Sequence, residues 1–331
     1  MGSVQGLSSM GAELAAEIER AGEIIRAGGL VAAPTETVYG LAADAFNDHA
    51  LAAIYAAKGR PQFNPLIVHF PSLSAAAAEV EMSPLAAEFA AAFWPGPLTL
   101  VLRRKPTSRI SKLASAGLDT LAVRVPAHPV FQALLSAAGT PLAAPSANPS
   151  GAVSPTSAAH VRAGLADRVA LILDGGPSSV GVESTIVKVD DDKAVLLRPG
   201  GAPRAALEAV AGALVSPQAI DRSAPKIEAP GMLESHYAPR ARVRLDADAP
   251  HVDEAYLAFG PAPAEARFYL NLSAKGDLTE AAANLFAHLH TLDKMCAENG
   301  LTGLAVAPVP SDGLGEAIRD RLARAAAPRT G

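Results

Sequence analysis

At 331 residues the chain is about twice the length of a typical domain, so two domains are expected, and with 50% hydrophobic and 18% charged residues it has ample material for a large buried core. No apolar run reaches the ~20 residues of a membrane helix: the best candidate, Phe93 to Leu102, is cut by Pro95 and Pro97 and closed by Arg103, Arg104 and Lys105. The net charge is −5, with fifteen Lys and Arg against seventeen Asp and Glu in residues 1–200, the wrong sign for a protein that lives on duplex nucleic acid. Any basic site must be local. The single cysteine, Cys296, excludes an intramolecular disulfide and a cysteine-rich metal site, and beside Met295 in a helical pattern it reads as a small core hydrophobe. The first basic residue is Arg20 and the sixth residue is Gly6, so neither a secretory leader nor myristoylation is expected, and a cytoplasmic location follows.

In chain order, Leu14, Ile18, Ile24 and Ile25 predict an amphipathic helix over 12–27, stopped by Gly28 and Gly29. A short buried strand, Leu30 to Ala33, runs into Pro34-Thr35-Glu36-Thr37-Val38-Tyr39-Gly40-Leu41. There Thr35, Glu36, Thr37 and Tyr39 bring hydrogen-bonding groups to a strand end, either as a ligand site or as a plain Thr-rich edge. A helix over 48–57 ends in Lys58-Gly59-Arg60-Pro61, two cations that suit either the helix dipole or a phosphate clamp on a stiff loop. Asn64-Pro65 leads into a strand containing His69, a core histidine or a ligand. Ala-rich helices follow at 74–80 and 84–93, then the Trp94-Pro95-Gly96-Pro97 turn and a strand over 98–102. The stretch 119–125 alternates, with Thr120, Ala122 and Arg124 on one face and Leu121, Val123 and Val125 on the other. Arg124 among apolar neighbours needs a partner, either a protein carboxylate or an anionic ligand.

A helix over 128–138 and a strand over 141–146 deliver the segment Pro145-Ser146-Ala147-Asn148-Pro149-Ser150-Gly151, with Ser154 just beyond. Pro145, Pro149 and Gly151 forbid a regular helix or central strand, so this is a binding loop or a solvated turn. A helix near 157–165, a strand over 169–173, the polar entry Gly181-Val182-Glu183-Ser184-Thr185 into a β run, and a strand over 194–197 ending at Arg198 complete this half. Strands of mixed spacing, some joined by helices and some by turns, predict a mixed α/β sheet rather than a strictly doubly wound one. Residues 211–241 read as a Pro-rich linker containing Pro230-Gly231-Met232 and Ser235-His236-Tyr237-Ala238-Pro239. Strands at 255–259, 267–270 and 303–307 with helices at 278–298 and 314–325 predict a smaller α/β domain, Rossmann-like in rhythm. His288 and His290 lie on different faces of their helix and are not a metal pair.

There is no Gly-Lys dipeptide for a Walker A loop, no Gly-x-Gly-x-x-Gly, no Gly-x-Ser-x-Gly and no His-Glu-x-x-His. Lys58, Arg60, Arg124 and Arg198 remain, with Thr35, Ser146, Asn148, Ser154 and Ser184, all at strand ends or adjoining loops. Cations with hydroxyl and amide donors and no nucleophile describe a site that holds polyphosphate by charge neutralisation.

Six ordered motifs, Pro-Thr-Glu-Thr-Val-Tyr-Gly-Leu, Lys-Gly-Arg-Pro, Asn-Pro-Leu-Ile-Val-His, Phe-Trp-Pro-Gly-Pro-Leu-Thr, Ala-Pro-Ser-Ala-Asn-Pro-Ser-Gly and Glu-Ser-Thr-Ile-Val, closely resemble the YrdC-domain family of threonylcarbamoyl-AMP synthases. The resemblance covers roughly residues 12–210, and the His-Tyr-Ala-Pro linker resembles that of the long, two-domain form. It implies a mixed twisted sheet in a catalytic domain over 1–210, a linker or lid over 211–241 and a C-terminal domain over 242–331. It further implies condensation of L-threonine, bicarbonate and ATP, with Mg2+ on the triphosphate, and delivery of the adenylate to a downstream threonylcarbamoyl transferase complex for tRNA modification. By the same resemblance Lys58 and Arg60 are catalytic and bind ATP with Thr120, Ser146, Asn148, Ser154, Arg198, His236 and Tyr237, while Thr35, His69, Arg124 and Ser184 form the threonine pocket. No stable nucleic-acid binding, membrane contact or protein-held metal is expected. The alternatives are a YrdC-like carbamoyltransferase and a non-enzymatic RNA-binding module.

Overall fold

The computed structural model describes residues 11–61, 64–215, 230, 236–264 and 266–328. Helix α1 (Ala12–Arg26) buries Ile18, Ala21 and Ile25. Strands β1 (Val31–Pro34) and β2 (Tyr39–Asp44) then pair antiparallel, from Val31↔Ala42 to Pro34↔Tyr39. The sequence reading treats 34–41 as one strand end, but the chain turns back at Thr35, whose Oγ1 accepts the N–H groups of Thr37 and Val38 and stands in for ladder partners.

Asn47 caps α2 (Asp48–Lys58) by accepting from the N–H groups of His49 and Ala50, and Gly59, at φ 60°, ends it in the left-handed conformation. There follow β3 (Ile67–His69), α3 (Leu73–Glu79), α4 (Pro84–Phe93), β4 (Leu98–Arg103), β5 (Thr120–Arg124), α5 (Pro129–Ala138) and β6 (Leu142–Ala143). Then come α6 (Ala158–Leu165), β7 (Leu171–Ile172), β8 (Thr185–Asp190), β9 (Lys193–Arg198) and α7 (Arg204–Ala211). The strands form one sheet of nine in the order β7-β1-β2-β6-β3-β5-β4-β8-β9, with parallel and antiparallel neighbours. The architecture is mixed, as expected, with one strand, β2, beyond those read from sequence, hidden behind the polar turn motif.

How helices cover this sheet decides where a ligand can lie. On one face Leu41, Val68, Leu100, Leu121, Val123 and Val187 pack against α2, α3, α4, α6 and α7 through Leu51, Ile54, Ala76, Phe89, Val161 and Leu207. On the other, α1 and α5 cover only the β1–β2–β6 end, over Val31, Ala33, Ala42 and Leu142. The rest of that face carries a small apolar cluster, Ile67, Val101, Ala122 and Ile186, in which no helix residue takes part. It is left free to floor a site. The alternation read for 119–125 holds, since Leu121, Val123 and Val125 join the main core while Ala122 joins this small cluster.

The second unit has β10 (Arg242–Arg244), β11 (Glu254–Ala258), β12 (Tyr269–Asn271), α8 (Leu278–Asn299), β13 (Gly303–Val306) and α9 (Gly315–Ala326). Its four strands are all parallel, in the order β10-β13-β11-β12. Of the expected linker, residues 216–229 and 231–235 lie outside the described residues, Met232 and Ser235 among them. Among the described residues no helix is long and apolar enough to cross a membrane. Cys296 is buried, as its setting predicted.

The two units share a core. Val38, Val153 and Val182 from the first unit, with Tyr237, cluster with Leu285, Phe286 and Ile318 of α8 and α9. At Gly181, φ 77°, a Cβ would run into the backbone of Ala282 and Ala283 in α8. A side chain there is excluded by both backbone strain and the close approach. Gly181→Ala is expected to lose about 2 kcal/mol or more and several degrees of Tm in calorimetry; an unchanged Tm would show that the units do not abut there.

Candidate functional site

A hollow enclosing about 50 Å3 opens on the uncovered face. That is well below the ~300–1,000 Å3 typical of small-molecule sites, so its walls stand nearly closed. Its walls come from the β1–β2 turn (Thr35, Thr37, Val38), from Arg60, from His69 on β3 and Arg124 on β5, from Ser146, from Glu183 and Ser184 ahead of β8, and from Arg198 at the end of β9. Pro230, His236 and Tyr237 of the linker close it. The structure thus brings together nine of the residues singled out from sequence: Thr35, Arg60, His69, Arg124, Ser146, Ser184, Arg198, His236 and Tyr237.

Arg124 lies beside His69 because β3 and β5 run parallel with those two residues in register. Its partner proves to be a protein carboxylate: Nη2 donates to Glu36 Oε1 at 2.5 Å, Nη1 to Thr37 Oγ1 at 3.0 Å and Nε to the Gly96 carbonyl at 3.1 Å. Burial acts to raise the Glu36 pKa, but the Arg124 charge together with the hydrogen bonds from Arg124 and the backbone outweighs it and holds the carboxyl below its ordinary value. Thr35 Oγ1 lies 2.8 Å from Thr37 Oγ1, which ties the turn to the same network.

Arg60, 7% exposed, donates to the carbonyls of Asn64 at 3.2 Å and Pro65 at 2.9 Å, and burial lowers its pKa to about 10. Arg198 donates to the Ser184 carbonyl at 2.8 Å and to that of Pro230 at 3.2 Å. Neither has a carboxylate within ion-pair distance among the described residues. Lys58 is the last residue of α2, where its charge suits the helix dipole, and Arg60 follows two residues on; both are buried.

Four expected contacts are not on the wall of the hollow. Lys58 is buried, with Nζ donating to the carbonyls of Ser146 at 2.6 Å and Asn148 at 2.5 Å, so it fastens the Ser146–Asn148 loop from behind. Burial, and then Arg60, push its amine well below the ordinary lysine value. The Asn148 amide donates to the Pro149 and Ala152 carbonyls and leaves Oδ1 unpaired. Ser154 donates to Glu183 at 2.5 Å. With Asn148 and Ser154 buried, this is no solvated surface turn. Thr120 sits four residues from Arg124 at the opposite end of β5, paired with the exposed Arg103, and the sheet carries it away from the hollow.

His69 and His236 are 2% and 6% exposed, and in each Nδ1 has no hydrogen-bond partner. His69 is thus not a satisfied core histidine. Burial, then Arg124, lowers the His69 pKa to about 3, and burial lowers that of His236 to about 3. Tyr237 holds φ 60°, its ring in edge contact with His236 at 4.1 Å and 5.6 Å from Phe286 of α8. Sequence reasoning missed the roles of Glu36, Thr37 and Glu183, all inside the quoted motifs, and of Arg321, which lies in none.

A family model for the Sua5, YciO and YrdC proteins, described as "Telomere recombination", matches residues 23–200, and a second, "Threonylcarbamoyl-AMP synthase, C-terminal domain", matches 203–327. The chain belongs to the two-domain Sua5/YrdC family. It is 39% identical to the threonylcarbamoyl-AMP synthase of Bacillus subtilis, over 95% of this chain and 94% of that one. It is 40% identical to the enzyme of that name from Pyrococcus abyssi, over 93% of this chain and 94% of that one. The crystal structure of P. abyssi Sua5 complexed with L-threonine superposes with a TM-score of 0.84 at 38% identity, covering 94% of each chain. The Sua5/YrdC match therefore spans both units.

The buried histidines of this Sua5/YrdC chain set a pH dependence. The unfolded chain protonates them below about pH 6.5, whereas native His69 and His236 stay neutral until about 3. Stability is therefore complete above pH 6.5 and declines between 6.5 and 3, by up to about 1.4 kcal/mol per pH unit for each histidine. His160, lowered to about 4 by burial and then His290, adds with the same sign. Melting from about pH 7.5 down to about 5 should show a falling Tm, less steep in His236→Asn; a flat wild-type profile would contradict the burial of these rings.

Proposed function

We propose that this Sua5-family enzyme condenses L-threonine, CO2 from bicarbonate, and ATP to threonylcarbamoyl-AMP and pyrophosphate in the cytoplasm, for transfer by a downstream threonylcarbamoyl transferase complex to tRNA. The observation that carries the reading is the hollow itself, where among the described residues Arg60 and Arg198 stand without carboxylate partners beside a second set of polar groups around Arg124. A buried cation left unpaired by its own chain is a seat for an anion.

On this reading the triphosphate lies toward Arg60, Ser146 and Arg198, and threonine toward Thr35, His69, Arg124 and Ser184. Threonine's neutral amine attacks CO2, forming the N–C bond of a carbamate with loss of one proton. A carbamate oxygen then attacks the α-phosphorus, and the α–β bridging oxygen leaves with pyrophosphate. Arg60 and Arg198 neutralise the charge that develops on the transferring phosphate, preorganised by the backbone carbonyls that hold them. Lys58 acts one step removed, by fixing the loop that presents Ser146. Unpaired Nδ1 of His69, kept neutral by its burial, is an acceptor for a substrate N–H or O–H. His236 and Tyr237 close over the reactants and limit the water that would hydrolyse the mixed anhydride.

Among the described residues Glu183 is the one carboxylate on the wall, and Ser154 and Arg321 already engage it. The residues fit a nucleotide whose Mg2+ arrives coordinated by phosphate oxygens and water. Neither the carbamoyltransferase nor the RNA-binding alternative is favoured by any feature of the hollow.

The reading is tested by pyrophosphate release from ATP in the presence of threonine and bicarbonate, which should depend on both. Arg60→Ala is expected to reduce kcat/KM for ATP by about 10² or more. Arg124→Lys keeps the charge that Glu36 requires but loses the fork, and should raise the KM for threonine tenfold or more while leaving that for ATP within about threefold. Unchanged threonine dependence would remove Arg124 from the amino-acid pocket.

A further inference from the structure

The hollow contains an unused contradiction. Glu183 brings a buried negative charge onto the same wall as Arg60 and Arg198, the cations that are to receive a triphosphate. A carboxylate there should either pair with those cations and occupy the anion's place, or repel the anion. Among the described contacts it forms no hydrogen bond or ion pair with either cation, although it attracts Arg198 from a distance. Glu183 Oε1 accepts from Ser154 at 2.5 Å, and Oε2 accepts from Nε of Arg321 at 2.7 Å.

Arg321 comes from α9 of the second unit and is completely buried. It is not on the wall of the hollow, and each of its nitrogens is already engaged: Nε by Glu183, Nη1 by Asp320 at 2.5 Å, and Nη2 by the Pro199 carbonyl at 3.0 Å, one residue beyond Arg198. Its guanidinium carbon also lies 5.1 Å from the centre of the Tyr237 ring. Burial acts to raise the Glu183 pKa, but the charges of Arg321 and, less strongly, Arg198, with the hydrogen bonds from Ser154 and Arg321, together outweigh it and hold the carboxyl below its ordinary value. Asp320 is held in turn by Nε of Arg324 at 3.0 Å, and the carbonyl of Arg324 accepts the His236 N–H at 3.3 Å.

We propose that Arg321 is a positioning residue of the ATP site, supplied by the C-terminal unit, which neutralises Glu183 and turns it away from Arg60 and Arg198 so that those cations stay free for the triphosphate. The inference rests on the placement of ATP given above. It assigns the C-terminal unit a part in substrate binding: α9 completes the charge balance of a hollow built almost wholly by the first unit, and the same guanidinium seats Tyr237 of the lid by cation–π contact. Without Arg321 the carboxylate has two nearby cations to swing toward, and the hollow closes on its own chain.

The consequence is specific to charge, which separates it from a merely structural role. In the full chain, Arg321→Met should raise the KM for ATP in the pyrophosphate-release assay tenfold or more, with the KM for threonine moving less than threefold. Arg321→Lys, which keeps the cation, should stay within about fivefold of wild type. The decisive variant is Arg321→Met combined with Glu183→Gln: removing the stranded charge should return the KM for ATP to within about threefold of wild type. A double variant no better than Arg321→Met alone, or an Arg321→Met enzyme with unaltered KM for ATP, overturns the proposal. Should Arg321→Met not fold, Glu183→Gln alone decides. It leaves the hollow more positive and should lower the KM for ATP by about threefold, and a rise would overturn the inference. Arg60→Ala run alongside keeps the two readings apart: normal ATP dependence in that variant defeats the placement of ATP itself, whereas a damaged Arg60→Ala beside an intact Arg321→Met defeats only the role of Arg321.

Discussion

Buried positive charge without a matching carboxylate is the constraint around which this molecule is arranged. Lys58, Arg60 and Arg198 are nearly inaccessible to solvent, yet their hydrogen bonds run to backbone carbonyls of residues 64, 65, 146, 148, 184 and 230. Carbonyl oxygens satisfy the donors' geometry without cancelling the charge. That is a costly state for an empty site and a favourable one for a polyanion, and it explains why the surrounding loops are irregular: only chain that leaves its ladder has carbonyls to offer. Prolines 65, 145 and 149, which break the ladder, stand at or next to the residues that supply them.

Negative charge is handled in the opposite manner. Glu36 is neutralised by Arg124 within the first unit, and Glu183 by Arg321 from the second. Each of these two carboxylates therefore has its own cation, and among the described residues Arg60 and Arg198 face the cavity without one. The two units are joined by the same logic of shared satisfaction. Valines of the first unit complete the apolar core of the second, Arg204 pairs with Glu316 at 2.6 Å, and His160 stacks on His290 at 4.1 Å with the latter's Nε2 3.1 Å from the Ser154 carbonyl.

Much of this was legible in the sequence. Helix boundaries followed caps and glycine stops, the alternation around Arg124 gave the correct faces, and polar residues at strand ends marked most of the hollow. What could not be read was which side of a loop each polar atom occupies. Lys58 and Ser146 are equally prominent as letters, yet one points its charge at the back of the loop and the other lines the cavity, a difference set by tertiary hydrogen bonds alone. Thr120 shared a face with Arg124 but lay at the wrong end of the strand, because alternation reports the face and says nothing of the depth. Arg321 gave no signal at all, since an arginine in an amphipathic helix is ordinary until the fold seals it inside.

The valines at positions 38, 153 and 182 carry one more implication. They sit on the segments that frame the hollow, Val38 on its wall, and pack in one cluster with Leu285, Phe286 and Ile318 of α8 and α9, where they are 7%, 4% and 0% exposed. A first unit produced by itself would present these apolar side chains beside the hollow, next to a Glu183 that has lost its Arg321 partner. A relative that lives as one domain must carry polar or shielded residues at those three places, so the chemistry of those positions alone would tell a free-standing catalytic unit from one that has come to depend on its neighbour.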